Sequence, residues 1–418
     1  MNKRNVISAG SGVVVTGLVF LILIPIMVGD FGVERFGFIS LMIVLMSTAS
    51  VFDFGAGRAL TYFVSNQKDL DLSIIWSVIF FVFIFAFVIA ILFYFLANLY
   101  INQLDKVEVY IYQELKDSIP YLALVIPLVI LHAMFRGVCD GFGKFGLNSV
   151  AKIIAGVTFA VLLLVNRYFE ATLLYVSICL ICSRLLGILV LTPFVIKKLG
   201  RNIKIKHNYY RQIFSFAGLS SLSSLCSTIS TYADRFIAGL YIAPIVFGIY
   251  SLVSDTIMRF LFIPGAISIV LFPSIASADS DRPTQIKNIR LAYFYLLLLI
   301  IPVCAIGILF GSQLFMFWLN KEIDVSFLDP IVTMICLGLF FSCLSQIPFS
   351  VIQGIGKVAT TAKLHVLFFL VSLPVYVYSA KLFGYEGLLS AWLGRIILEF
   401  VIITGIQCYY LKLNEDAT

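Results

Sequence analysis

The chain has 418 residues, of which 61% are hydrophobic and only 12% carry charge. Its apolar residues fall in blocks of twenty or more, which excludes a soluble globular domain and points to an all-α integral membrane protein. Lysine and arginine outnumber the acids 29 to 22, but the excess gathers in particular loops, so it reads as membrane topology rather than nucleic-acid binding.

Met1-Asn2-Lys3-Arg4 leads into a stretch that is uncharged from Val6 to Val28. That run is longer than a signal-peptide core, and Met27-Val28-Gly29-Asp30 offers no small-x-small cleavage site. A retained first span is expected. Apolar runs between charged or Gly/Asn-rich breaks predict twelve spans, at 6–28, 37–65, 74–97, 119–140, 148–166, 171–196, 213–235, 245–272, 290–311, 328–350, 361–383 and 387–411. With the amino terminus inside, most loop lysines and arginines are inside too, which puts both termini in the cytoplasm. This parity counts Lys152 with the inner set, and Arg35 and Arg235 with the outer one.

The halves are expected at 1–196 and 213–418, each a six-helix bundle, joined by a basic cytoplasmic linker at 197–212. Lys197, Lys198, Arg201, Lys204, Lys206 and Arg211 in that linker suit an anchor on anionic lipid. Phe36-Gly37-Phe38-Ile39-Ser40 opens span two and Phe247-Gly248-Ile249-Tyr250-Ser251 opens span eight. Gly141-Phe142-Gly143-Lys144 closes span four and Gly354-Ile355-Gly356-Lys357 closes span ten. The recurrence implies parallel repeats, as in transporters whose two bundles rock about a site between them. Neither Gly-x-Gly-Lys has the strand or spacing of a P-loop, so each is expected to be a tight helix-ending turn. No outer loop is long enough to hold a catalytic domain, so an enzyme is not expected.

Span two contains Val51-Phe52-Asp53-Phe54-Gly55-Ala56-Gly57-Arg58-Ala59-Leu60. A charge at the bilayer centre costs about 2.5–3.5 kcal/mol on insertion scales, so it is rare unless it faces protein or water. The same cost recurs at Arg136, Arg184, Arg259 and Arg395. Three of these arginines have an acid four residues away on one helix face: Arg136 with Asp140, Arg259 with Asp255, and Arg395 with Glu399. On a continuous helix Asp53 would lie about 140° around from Arg58. Arg184 has no acid on its span. Arg58 and Arg184 are therefore the leading candidates to meet an anionic substrate, a role also open to the paired arginines.

Span seven is the most hydroxylated, with Ser215, Ser220, Ser221, Ser223, Ser224, Ser227, Thr228, Ser230 and Thr231, and it ends at Asp234-Arg235. Small hydroxyl residues ordinarily mean close helix packing, and a sugar-facing wall is the sharper alternative. Cys179-x-x-Cys182 lacks a second pair or a nearby histidine, and His132 and His365 have no metal spacing. No metal or organic cofactor is expected.

As a set, several of these motifs resemble the Wzx-type O-antigen flippases of the multidrug/oligosaccharidyl-lipid/polysaccharide superfamily. The set comprises Asp53 to Leu60, Gly32-Val33-Glu34-Arg35-Phe36-Gly37, Arg136 with Gly141-Phe142-Gly143-Lys144, and Asp234-Arg235. The resemblance implies a MATE-like fold in a bacterial inner membrane. It implies translocation of an undecaprenyl-diphosphate-linked oligosaccharide to the periplasmic leaflet, by alternating access through a basic central cavity. Arg58, Arg136, Arg184, Arg259 and Arg395 become candidate substrate cations. Asp53, Asp255 and Glu399 become candidates for pairing with them or for proton or sodium coupling. Membrane lipids and other polysaccharide-assembly proteins are the expected partners. A cation-coupled drug exporter of the same superfamily is the alternative, although the first span holds no acid and buried arginines suit a cationic drug poorly. A membrane polysaccharide polymerase or ligase is a more distant one.

Overall fold

The computed structural model describes residues 3–53, 55–66, 73–165, 171–200, 228–276, 282–320 and 323–416. The described residues are helical, with no strand among them. Nine of their helices are long and apolar enough to cross a membrane, which makes this a multi-pass membrane protein. The chain divides into two compact units, Met1–Thr228 and Ile229–Thr418. Residues 201–211 of the basic linker lie outside the described residues.

Unit 1 contains α1 (Lys3–Ala49), a 3-10 turn (Ser50–Asp53), α2 (Ala56–Asn66), α3 (Ser73–Ile101), α4 (Val109–Gly141), α5 (Phe145–Val165) and α6 (Leu173–Leu199). At 47 residues α1 would be about 70 Å long if straight, more than twice the hydrocarbon thickness of a bilayer. It breaks at Gly32, whose φ of 83° suits only a residue without a side chain. The apolar run expected as one span over 37–65 is likewise interrupted. Helix gives way to the 3-10 turn at Ser50, and Gly55 has φ +73° before α2 begins.

The Asp53-to-Arg58 motif explains this interruption. Backbone N–H groups of Gly55 and Gly57 donate to the two carboxylate oxygens of Asp53, at 2.7 and 3.0 Å. A carboxylate there satisfies donors that a helix start leaves open and complements its dipole. Gly57 then lets α2 meet α4 backbone to backbone. A Cβ on Gly137 would stand 2.2 Å from the Gly57 carbonyl oxygen. Thr61 Oγ1 reaches the carbonyl oxygens of both Gly57 and Gly137 at 3.0 Å.

Unit 2 contains α7 (228–241, from Ile229 on), α8 (Pro244–Ile257), a 3-10 turn (Met258–Leu261), α9 (Phe262–Ala276), α10 (Arg282–Leu319), α11 (Val325–Gly354) and α12 (Val358–Asp416). The 3-10 turn interrupts the run expected as a single span over 245–272. The 59-residue α12 breaks at Gly384 (φ 61°), which falls between the runs expected at 361–383 and 387–411.

α4 packs against α2, α3 and α6 in unit 1, and α11 packs against α8, α9, α10 and α12 in unit 2. Glycines let the neighbours of α11 come close: a Cβ on Gly338 would meet the Trp392 ring at 2.3 Å, and one on Gly311 would meet Val332 at 2.5 Å. These two central helices end identically. The N–H groups of Phe142, Gly143 and Lys144 donate to the carbonyls of Val138, Asp140 and Cys139. Those of Ile355, Gly356 and Lys357 donate to Val351, Gln353 and Ile352, the same positions 213 residues on. Gly143 (φ +72°) and Gly356 (φ +81°) occupy the left-handed region that this cap requires. Lys144 and Lys357 are exposed.

Candidate functional site

The membrane-depth charges form one cluster in each unit, and the two clusters differ in kind.

In unit 1, α4 contributes His132 and Arg136 one turn apart, α5 contributes Lys152, and α6 contributes Arg184. Arg184 and Arg136 lie within electrostatic reach of one another, Lys152 within reach of Arg136, and His132 within reach of all three. The expected Arg136–Asp140 pair is not made. Asn148 Nδ2 donates instead to Asp140 Oδ1 at 2.5 Å and to the Arg136 carbonyl oxygen at 3.1 Å. Asn148 stands one turn into α5, where it competes for the carboxylate by crossing between helices. Among the described residues, neither Arg136 nor Arg184 makes an ion pair, and the buried Nε of Arg184 has no hydrogen-bond partner. Among the described side chains the cluster therefore holds three cations, Arg136, Lys152 and Arg184, to one carboxylate, Asp140.

Parity counts Lys152 with the inner set, near the start of the span expected at 148–166. The glycine cap at Gly143 turns the chain so tightly that α5 begins at Phe145, which places Lys152 two turns inside the helix. His132 is 3% exposed, and its Nε2 has no hydrogen-bond partner. Its ring faces Gly187 of α6, where a Cβ would stand 3.4 Å from both Cε1 and Nε2. Arg58 lies on α2 just past the Gly57–Gly137 crossing, and its side chain lies outside the described residues.

In unit 2 the charges are matched. Arg235 Nη1 meets Asp255 Oδ1 at 2.6 Å, and Arg395 Nη1 meets Glu399 Oε2 at 3.0 Å, the latter as its four-residue spacing predicts. The other oxygen of Glu399 lies 4.0 Å from His365 Nδ1. Tyr250 Oη donates to Asp234 Oδ2, and Asp234 interacts electrostatically with Arg395. Arg259 sits in the 3-10 turn and interacts with Asp255. Three arginines thus face three carboxylates.

Arg235, counted with the outer set at the end of span seven, is 5% exposed. The helix does not stop at Arg235: Phe236-Ile237-Ala238-Gly239-Leu240 continues it to residue 241. That apolar continuation was the available signal. It also gives Asp255 a second cation besides Arg259. Of the span-seven hydroxyls, Ser215 to Ser227 lie outside the described residues. Ser230 is buried in α7. Among the described residues no group of histidine, cysteine and acidic side chains could hold a metal ion.

The fold of this multi-pass helical protein is shared with solved membrane transporters. It matches a lipid II flippase MurJ in an inward closed conformation with a TM-score of 0.75 and 16% identity, covering 96% of this chain and 87% of that one. It also matches an inward-facing multidrug resistance MATE transporter of the MOP superfamily, with a TM-score of 0.72 and 13% identity over 98% of both chains. The model of the family described as "Polysaccharide biosynthesis protein" matches residues 3–279, and the chain belongs to that family. A relative in Shigella flexneri, named "Putative O-antigen transporter", is 25% identical over 393 residues, which is 92% of each chain.

Proposed function

We propose that this protein is a flippase that carries an undecaprenyl-diphosphate-linked oligosaccharide, the repeat unit of a surface polysaccharide, from the cytoplasmic to the periplasmic leaflet of a bacterial inner membrane. The observation that carries the reading is the excess of cations inside unit 1. Arg136 and Arg184, with Lys152 beside them, sit at membrane depth without carboxylates on their guanidiniums. An unpaired guanidinium in lipid is costly, and its planar fork suits phosphate oxygens. A diphosphate passing through a basic cavity would supply the missing negative charge while its polyprenyl tail stays in lipid. Membership of a polysaccharide-biosynthesis family and the MurJ-like fold support the same reading.

The matched charges of unit 2 suit a different task. Asp255 and Glu399, already paired with arginines, are the carboxylates we assign to proton or sodium coupling, with Asp53 as the third candidate. Twelve spans with both termini in the cytoplasm complete the proposal.

The test is genetic and chemical together. In the host strain, Arg184→Ala and Arg136→Ala should reduce surface polysaccharide at least tenfold, with normal amounts of protein in the membrane. Lysine at either position should restore part of it, because charge is kept and bidentate geometry lost. Normal export by both alanine variants would refute the assignment.

A further inference from the structure

We infer that His132 is a further member of the anion site in unit 1, its imidazole donating through Nε2–H to a phosphate oxygen and taking up one proton when the diphosphate enters. The inference rests on the proposed function, since it requires Arg136 and Arg184 to receive an anion.

The geometry is that of a built position rather than a packing accident. The ring is 3% exposed, yet its Nε2 has no hydrogen-bond partner. Burying a ring nitrogen without a partner forfeits its hydrogen bond to water, a cost that a chance packing position would not be expected to keep. Gly187 of α6 packs against this edge of the ring, where an added Cβ would come to 3.4 Å from Nε2, an ordinary contact distance. Arg184 lies one turn back along α6 on the same face, and Arg136 one turn along α4 from His132. The buried Nε of Arg184 is likewise without a partner. Nε2 of His132 and Nε of Arg184, on adjacent helices, are thus both without a partner in the protein, and an oxyanion would offer an acceptor to each once Nε2 carries a proton.

The proton follows from the surrounding charges. Those that bear on His132 are Arg184 on α6, Arg136 on its own helix and Lys152 on α5, all positive. Asp140, further along α4, is engaged by Asn148. Burial of the ring and the three cations around it all oppose a further charge there. A multiply charged anion lodged among the cations offsets their share of that opposition and offers Nε2–H an acceptor. The proton comes from solvent as the anion binds and returns to solvent when it leaves, with no covalent change. His132 thereby ties one proton to the occupancy of the site, at a group that is not a carboxylate.

Calorimetry of inorganic pyrophosphate binding to the purified full-length protein, in Tris and in HEPES at one pH, reads proton uptake from the difference in heat. His132→Gln should still bind, severalfold more weakly, and should take up about one proton fewer per ligand than the wild type. Arg184→Ala should lose binding. Equal proton counts in wild type and His132→Gln, with binding retained, would overturn the role of His132 and leave the arginine site standing. Failure of the wild type to bind pyrophosphate would remove the anion site and this inference with it.

A second measurement needs no variant. Sulfate does not titrate near neutrality, so its thermal stabilisation of the wild type should be greater at pH 6 than at pH 8. Equal stabilisation at the two values would also overturn the inference.

Discussion

Arg184 and Arg395 stand in similar places, inside long apolar helices at membrane depth, yet only Arg395 has a carboxylate against it, Glu399 at 3.0 Å. The difference separates the two residues in a stability measurement. Removing Arg395 leaves Glu399 without its arginine, which costs on the order of 3 kcal/mol for a buried pair. Arg395→Ala should therefore lower the melting temperature of the purified protein. Arg184→Ala removes a charge that nothing balances, so its melting temperature should stay level or rise while export falls. A large drop for Arg184→Ala would mean that it glues helices together. At this scale much was legible: four-residue spacing identified the Arg395–Glu399 pair, and the absence of an acid on its span singled out Arg184. The same rule failed for Arg136, because a one-helix rule cannot see Asn148 on the next helix taking Asp140. Nor could it see Arg235 reaching Asp255 across 20 positions.

Among the elements, the motif from Asp53 to Arg58 decides how α2 meets α4. Asp53→Ala should destabilise by about 0.5–2 kcal/mol through the lost cap, whereas Asp53→Asn should keep most of the stability. The pair separates structural loss from any loss due to charge. If asparagine is as stable as the wild type but exports poorly, the carboxylate charge itself matters. Gly137→Ala tests the crossing. Its methyl group would collide with the Gly57 carbonyl, so a loss of about 1–3 kcal/mol is expected, seen as a lower melting temperature and less protein in the membrane. Hydropathy located the long apolar runs but not their interruptions at Ser50–Gly55 and Met258–Leu261. Both interruptions lie inside sequence that is apolar on either side, and the backbone is turned by capping and a 3-10 turn, not by polarity.

For the whole molecule, a strain lacking the gene should accumulate lipid-linked repeat units on the cytoplasmic leaflet. Normal flipping together with altered drug resistance would instead indicate an exporter. The fold class was readable from composition, and the internal repeat from Gly141 to Lys144 and Gly354 to Lys357, whose capping hydrogen bonds coincide bond for bond. The charge balance of each unit was not readable, since it depends on which helices face one another.

That balance has an electrical consequence. A living bacterial membrane is polarised, and moving one elementary charge through 100 mV does about 2.3 kcal/mol of work. Among the described side chains, the interior of unit 1 carries unmatched positive charge, so any shift of it along the membrane normal is coupled to the voltage while the site is empty. A diphosphate in the site would offset most of that charge and make the same shift less sensitive to the field. The cluster of unit 2 is neutral as it stands, and should respond to the voltage only while a coupling proton or sodium ion is bound there. Return of the unloaded protein, rather than passage of its cargo, is then the step on which membrane potential acts.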